Sequence, residues 1–364
     1  MTQDNAKIEE QIEGLEDSRA GSWGDYPIDT LLIRNEQRTV HDVLRRIQDE
    51  RFIMNPEFQR DFIWGEDKQS RLIESVVMRI PLPVFYLAED DRGRMIVVDG
   101  LQRLSTFERF VNNKLQLRLP DRGELNGKKF KDLPPKLQNR IEDCNLILYI
   151  IDHKVPEQAR LDIFERVNGG VPLTRQQMRN CLFMGEATRF LRDESKTTEF
   201  KKATGNSLRS ETMRDREFVN RFCAFQMLDV SEYRDMDGFL ANALKKINHE
   251  PELAHDLSRQ FRVTLDNNFF LFGKHAFRKH QPGQARRNLL NASLWDVMST
   301  GFSKIPAEIV KARSSDAKEL FYQLLSHEGF TDSITRSPNS PNQVRCRFAL
   351  AREAFSEVFN AYSD

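Results

Sequence analysis

The pattern of hydrophobic residues changes once along this chain, near Asp152, and that change constrains the fold more than any single motif. Before it, short apolar runs of strand length, "PLPVFYLAED", "RMIVV" and "NLILYIID", are interspersed with amphipathic stretches such as "DKQSRLIESVVMRI". After it, the periodic segments are helical: "EQARLDIFERV", "TRQQMRNCLF", "DREFVNRFCAFQML", "MDGFLANALKKIN" and "AKELFYQLLSHE". The pattern predicts an α+β protein in which a mixed α/β domain over residues 25–156 precedes an all-helical domain over 157–364, with a flexible acidic tail over 1–24. A length of 364 residues suits two cores better than one.

Composition narrows the functional classes. The chain has 55 basic and 55 acidic residues, so only a local patch could bind nucleic acid. No apolar run approaches the roughly 18 residues of a membrane span, and the polar N-terminal stretch lacks the apolar centre of a signal peptide. A cytoplasmic location is expected. Cys144, Cys181, Cys223 and Cys346 are widely spaced with no C-x-x-C pair, which predicts reduced, mostly buried thiols rather than a disulfide framework or zinc site.

The stretch "GRMIVVDGLQRLSTFERFV", residues 93–111, carries the chemistry. A short strand stops at Asp99-Gly100 and restarts as a helix whose apolar face holds Leu101, Leu104, Phe107, Phe110 and Val111, with Arg103 on the same face. A guanidinium there calls for an anionic partner, because burying it unpaired would cost several kcal/mol. Gly100 permits a tight turn and close approach, and the amides of a helix N-terminus attract anions. Gln102 can donate and accept; Asp99 can hold a magnesium ion, polarise a water or cap the helix. In "EFQRDFIW", strict alternation places Arg60 on one face with Phe58, Phe62 and Trp64, a second arginine suited to a shared anion. The spacing is neither a P-loop nor a G-x-G-x-x-G fingerprint.

These residues carry a resemblance. "IVVDGLQRLSTF" is similar to the D-G-Q-Q-R signature of domain-of-unknown-function family 262, the N-terminal domain of GmrSD-type modification-dependent restriction enzymes, whose fold is similar to ParB and sulfiredoxin. "NPEFQRDFIWGEDKQSRLIESVVMRIPLPVFYL" and "IFERVNGGVPLTRQQMRNCLF" resemble its upstream and downstream segments. The resemblance implies binding of a nucleoside triphosphate and, in several members, hydrolysis; for this chain the expectation is binding of GTP or ATP with magnesium, with at most slow hydrolysis, in a sensor or regulatory component of defence against foreign DNA. The matching positions are Asp99, Gly100, Gln102 and Arg103, with Arg60 upstream. Asp99 would position metal or water, Gln102 would orient the γ-phosphate or water, and the two arginines would stabilise phosphate charge. Leu101 stands where the family often has a glutamine, a departure that bears on hydrolysis more than on binding. The same fold also admits a DNA-binding or weakly nucleolytic protein without nucleotide, or a non-catalytic subunit that recruits a separate nuclease.

Two further segments complete the reading. In "VNGGVPLTRQQ", Asn168 and the glycines suit a helix end, Thr174 and Gln177 suit a capping box, and Arg166 and Asn168 are candidate ligand contacts. In "KHAFRKHQPGQARR", Lys274, Arg278, Lys279, Arg286 and Arg287 are candidate DNA-phosphate contacts. The seven histidines are scattered rather than grouped as an HNH nuclease requires, so DNA cleavage is expected from a separate nuclease partner.

Overall fold

A computed structural model describes residues 12–15, 32–54, 64–90, 92–167 and 174–359. The fold is α+β: a five-stranded mixed sheet with helices, followed by a long run of helices. Contacts divide the chain between Leu173 and Thr174. This corrects the boundary expected after residue 156, because the helix that follows the last strand is tied to the sheet rather than to the helices after it.

The sheet has the order β1-β5-β3-β4-β2, formed by β1 (Ile33–Thr39), β2 (Phe52–Ile53), β3 (Phe85–Glu89), β4 (Met95–Asp99) and β5 (Asn145–Ile151). Strand β5 runs antiparallel to β1 and parallel to β3, while β3 and β4 form an antiparallel pair. Alternation explains the layering. Phe85 and Leu87 on β3, Val97 on β4, and Leu146, Leu148 and Ile150 on β5 share one buried cluster with side chains of four helices. These are α1 (Val40–Gln48), α2 (Glu66–Val77), α3 (Leu101–Val111) and α4 (Pro135–Glu142). On α2, Leu72, Ile73 and Val76 are buried as the periodicity predicts, whereas Ile80 lies beyond the helix and is exposed. Helix α5 (Glu157–Val167) packs against β4 and donates from Arg160 to the Glu89 carbonyl, which fixes it to the sheet.

Strand β1 has almost no apolar pattern; charge holds it instead. Arg34 reaches Glu89 at 2.6 Å and Glu36 at 3.2 Å, Arg38 reaches Glu36 at 2.6 Å and Asp42 at 2.8 Å, and Arg46 reaches Asp42 at 3.1 Å. Burial alone would raise the pKa of Glu36 and of Asp42, but the arginine bonds outweigh it and hold both below their ordinary values of 4.5 and 3.8. A depressed folded value means that the stabilisation is complete above the unfolded value and disappears as pH falls through the folded one. Hydrogen exchange of β1 amides should therefore accelerate below about pH 4, relative to β3, beyond the intrinsic pH effect. Glu36→Gln should remove much of that change; an identical pH dependence in the variant would show that the ladder does not anchor the strand.

The second unit is built from α6 (Arg175–Leu182), α7 (Glu186–Ser195), α8 (Thr198–Thr204), α9 (Arg214–Met227), α10 (Met236–His249), α11 (Leu253–Phe272), α12 (Ala292–Gly301), α13 (Ala307–Ala312), α14 (Ser314–Ser326), α15 (Glu328–Ser333) and α16 (Pro341–Phe359). Helix α6 begins with the expected capping box, Thr174 and Gln177 bonding reciprocally to each other's backbone. Trp295 on α12 is fully buried, packs against Phe200, Phe218, Phe261 and Phe277, and donates from its indole to the Phe218 carbonyl at 2.8 Å. Beside it lies a buried charge triad. Arg221 donates twice to Asp296, at 2.8 and 2.6 Å, and Arg347 donates to the same carboxylate at 2.8 Å, all three side chains having no solvent exposure. Residues 12–15, expected within a flexible tail, belong to this unit: Glu13 exchanges backbone bonds with Leu290 and Ala292, and its carboxylate takes Lys279. The four cysteines are free thiols, two buried and two partly buried.

Candidate functional site

The strand–turn–helix junction at Asp99-Gly100 forms as the sequence predicts. Strand β4 ends at Asp99, Gly100 adopts φ +99° and α3 starts at Leu101. Only glycine suits this position, because a Cβ would strike the ring of Phe85 and the backbone is left-handed. Among the described residues, no side chain caps the first turn of α3. The amides of Leu101, Gln102 and Arg103 therefore keep the partial positive charge of an open helix N-terminus.

Arg103 lies on the buried face of α3, at 8% exposure, with Leu104, Phe107 and Phe110. Its expected negative partner is internal. One terminal nitrogen donates to the Pro83 carbonyl; the other donates to Val84 at 3.1 Å and to Asp99 at 2.7 Å, and the guanidinium stacks 4.2 Å above the Phe85 ring. Burial pulls its pKa down and Asp99 opposes that pull. Arg103 thus staples the entrance of β3 to the end of β4 and shapes the turn. The donors expected to face phosphate are directed at protein oxygens.

Asp99 is correspondingly half engaged. Its Oδ2 accepts from Arg103, whereas Oδ1 has no protein partner among the described residues, and the side chain is about one-third exposed. It does not cap α3, so of the roles open to it in the sequence, ligation of a metal or water is the one the geometry leaves available. Gln102 accepts the Trp64 amide at 3.0 Å through Oε1, which aims its amide nitrogen away from that bond. Behind it runs a relay absent from the sequence reading: Arg109 donates to Gln69 at 2.8 Å, and Gln69, nearly fully buried, donates to the Trp64 carbonyl. The signal was present, since Gln69 precedes Ile73 by four residues and Val76 by seven, on the apolar stripe of α2.

Arg60 and Asn168 lie outside the described residues. Arg166 is exposed in the last turn of α5. The basic stretch is used largely within its own unit. Arg278, almost wholly buried, donates to the carbonyls of Thr204, Ala276 and Asn288 and to Ser207, while Arg287 reaches the Gly205 carbonyl at 3.2 Å. Both arginines thereby satisfy the negative C-terminal end of α8. Burial, reinforced by Arg287, lowers the pKa of Arg278 to about 10. Lys274 bonds to the Ala285 carbonyl and Lys279 to Glu13 and Thr335. Arg286 alone of the five has no ion pair or side-chain bond among the described residues, so most of the stretch's charge is engaged within its own unit.

Among the described residues, one further group offers three ligand atoms within 4.8 Å of one another: Glu89, Asp152 and His153. Arg34 already neutralises it, 2.6 Å from Glu89 and 3.8 Å from Asp152.

A glycine-hinged turn at the end of a strand, opening a helix with no side-chain cap among the described residues and a carboxylate at its mouth, is an arrangement whose helix N-terminus favours anions. Comparison adds a particular likeness: residues 40–184 match the model of the GmrSD restriction endonuclease N-terminal domain, so that segment is similar to that family. No curated protein and no solved structure matches the chain.

Proposed function

We propose that the chain binds a nucleoside triphosphate at the first turn of α3, with magnesium, and serves as a sensor or regulatory component of a restriction system that defends against foreign DNA. The observation that carries this reading is the uncapped helix N-terminus at Gly100, set in the family's own signature stretch. The amides of Leu101 to Arg103 would receive phosphate oxygens, and Gln102, anchored through Trp64, would donate its free amide to the same group. Magnesium fits the donor set: it commonly takes one or two carboxylates and completes its shell with phosphate and water, and Asp99 offers one open oxygen. When bound, the ion would neutralise phosphate charge. Arg103 holds Asp99 in place and is a positioning residue; it does not itself reach the ligand.

Slow hydrolysis would require a water held by Asp99 or Gln102, and DNA cleavage would belong to a separate nuclease. The test is equilibrium binding of ATP, GTP, CTP and UTP to the purified full chain, with and without magnesium. Binding by the wild type should strengthen with magnesium. Asp99→Asn should still bind but lose about tenfold of that enhancement, because the amide can accept from Arg103 yet brings no charge to the cation. Absence of binding for all four nucleotides at millimolar concentration sinks the reading, and an undiminished magnesium effect in the variant removes Asp99 from the site.

A further inference from the structure

The face of the sheet opposite the α1–α4 core is buried at Ala88, Ile96, Val98 and Ile151, but it opens toward the end of β4 that carries the proposed phosphate site. There the register sets four residues in one row across four strands. Asn35 on β1 pairs with Tyr149 on β5, Tyr149 with Tyr86 on β3, and Tyr86 with Asp99 on β4. Tyr86 and Tyr149 alternate with core residues, so their rings project from the open face, where they are partly exposed and stack with centroids 5.5 Å apart and planes inclined by 26°. Neither hydroxyl has a protein partner among the described residues, nor has the exposed amide of Asn35. Ile147, two residues before Tyr149 on the same face and 37% exposed, extends the apolar surface.

Such a row matches the layout of one nucleotide. Strands lie about 4.8 Å apart, so Tyr149 stands roughly 10 Å from Asp99 and the turn that begins α3. The phosphate end of the row is the electropositive helix terminus, its middle is aromatic, and its far end carries an amide with both a donor and an acceptor. An irregularity in the β3–β4 register, between Tyr86 and Leu87, brings Asp99 opposite Tyr86 and so joins the two halves.

We propose that Tyr149 and Tyr86 form the stacking platform for the base and ribose of the nucleotide whose phosphates lie at the first turn of α3, with Asn35 reading the edge of the base. The proposal rests on the phosphate-binding reading above and adds the nucleoside half of the site. Stacking supplies affinity for any base, whereas the Asn35 amide distinguishes a purine with a 6-amino group from one with a 6-oxo group by how it presents donor and acceptor.

The experiment measures binding of ATP, GTP and inorganic tripolyphosphate, each with magnesium, to the full chain and to Tyr149→Leu, Tyr86→Leu, their Phe counterparts and Asn35→Ala. Each Leu variant should weaken both nucleotides about tenfold and leave tripolyphosphate unchanged. The Phe variants should bind nucleotides nearly as the wild type does, and Asn35→Ala should narrow the difference between ATP and GTP. Unchanged nucleotide affinity in the Leu variants, or equal loss for nucleotides and tripolyphosphate, would overturn the platform. Wild-type protein that binds tripolyphosphate as tightly as nucleotides would leave the phosphate site standing and remove the platform. If the wild type bound none of the three ligands, the phosphate reading would fall and the platform with it.

Discussion

Asp296→Ala should destabilise the helical unit by about 3 to 5 kcal/mol, the range for breaking a buried ion pair and leaving its partners uncompensated. Asp296 is the shared acceptor of Arg221 and Arg347, none of the three being exposed, so its removal would leave two guanidinium groups facing each other. Both arginines also have a nitrogen with no partner, Nη1 of Arg221 and Nε of Arg347, which leaves little local capacity to absorb the loss. Hydrogen exchange in α9 and α12 reads this unit directly. A triple replacement, Arg221→Met with Asp296→Leu and Arg347→Met, should recover much of the stability, because neither guanidinium then remains buried without the Asp296 carboxylate. A loss under about 1 kcal/mol for Asp296→Ala would mean that water reaches the triad.

Arg103→Ala should cost the sheet unit about 2 to 4 kcal/mol and abolish nucleotide binding at the same time. The guanidinium supports the carbonyls of Pro83 and Val84 and the carboxylate of Asp99 while covering Phe85, so its removal leaves three acceptors unsatisfied at the mouth of the turn. Arg103→Lys should restore only part of either property, since one ammonium cannot span acceptors on two strands in the plane of a fork. The two losses should move together across a series at this position. A variant as stable as the wild type, yet unable to bind nucleotide, would place the guanidinium on the ligand instead.

The Asp99-Gly100 turn was legible because its causes are local: an apolar run ends at a dipeptide suited to turns and a helical stripe begins. Strands β3, β4 and β5 were legible for the same reason, and β5 proved to be an interior strand as its apolar composition implies. Strand β1 was not, because "IRNEQRT" draws its stability from Glu89, Asp42 and its own arginines, partners that sequence order does not bring together. The placement of Arg103 on an apolar face was readable; the identity of its partner was not, since the Pro83 and Val84 carbonyls become acceptors only once β3 lies beside β4. The basic stretch misled in the opposite sense. Composition shows charge, but only packing shows that Arg278 and Arg287 end on the carbonyls of α8.

The family segment and the folding units have different ends. Residues 40–184 begin after β1 and finish beyond α6, so the segment omits a strand that pairs along its whole length with β5 and includes a helix whose Arg175 and Arg179 are held by Asp237 far downstream. What the family model spans is therefore not what folds together. An excised 40–184 piece would present the bare hydrogen-bonding edge of β5 to other molecules and would carry the buried Arg179 and the partly buried Arg175 without Asp237. The stretch that defines the kinship can act as an autonomous body only when the chain before it and the chain after it are also present.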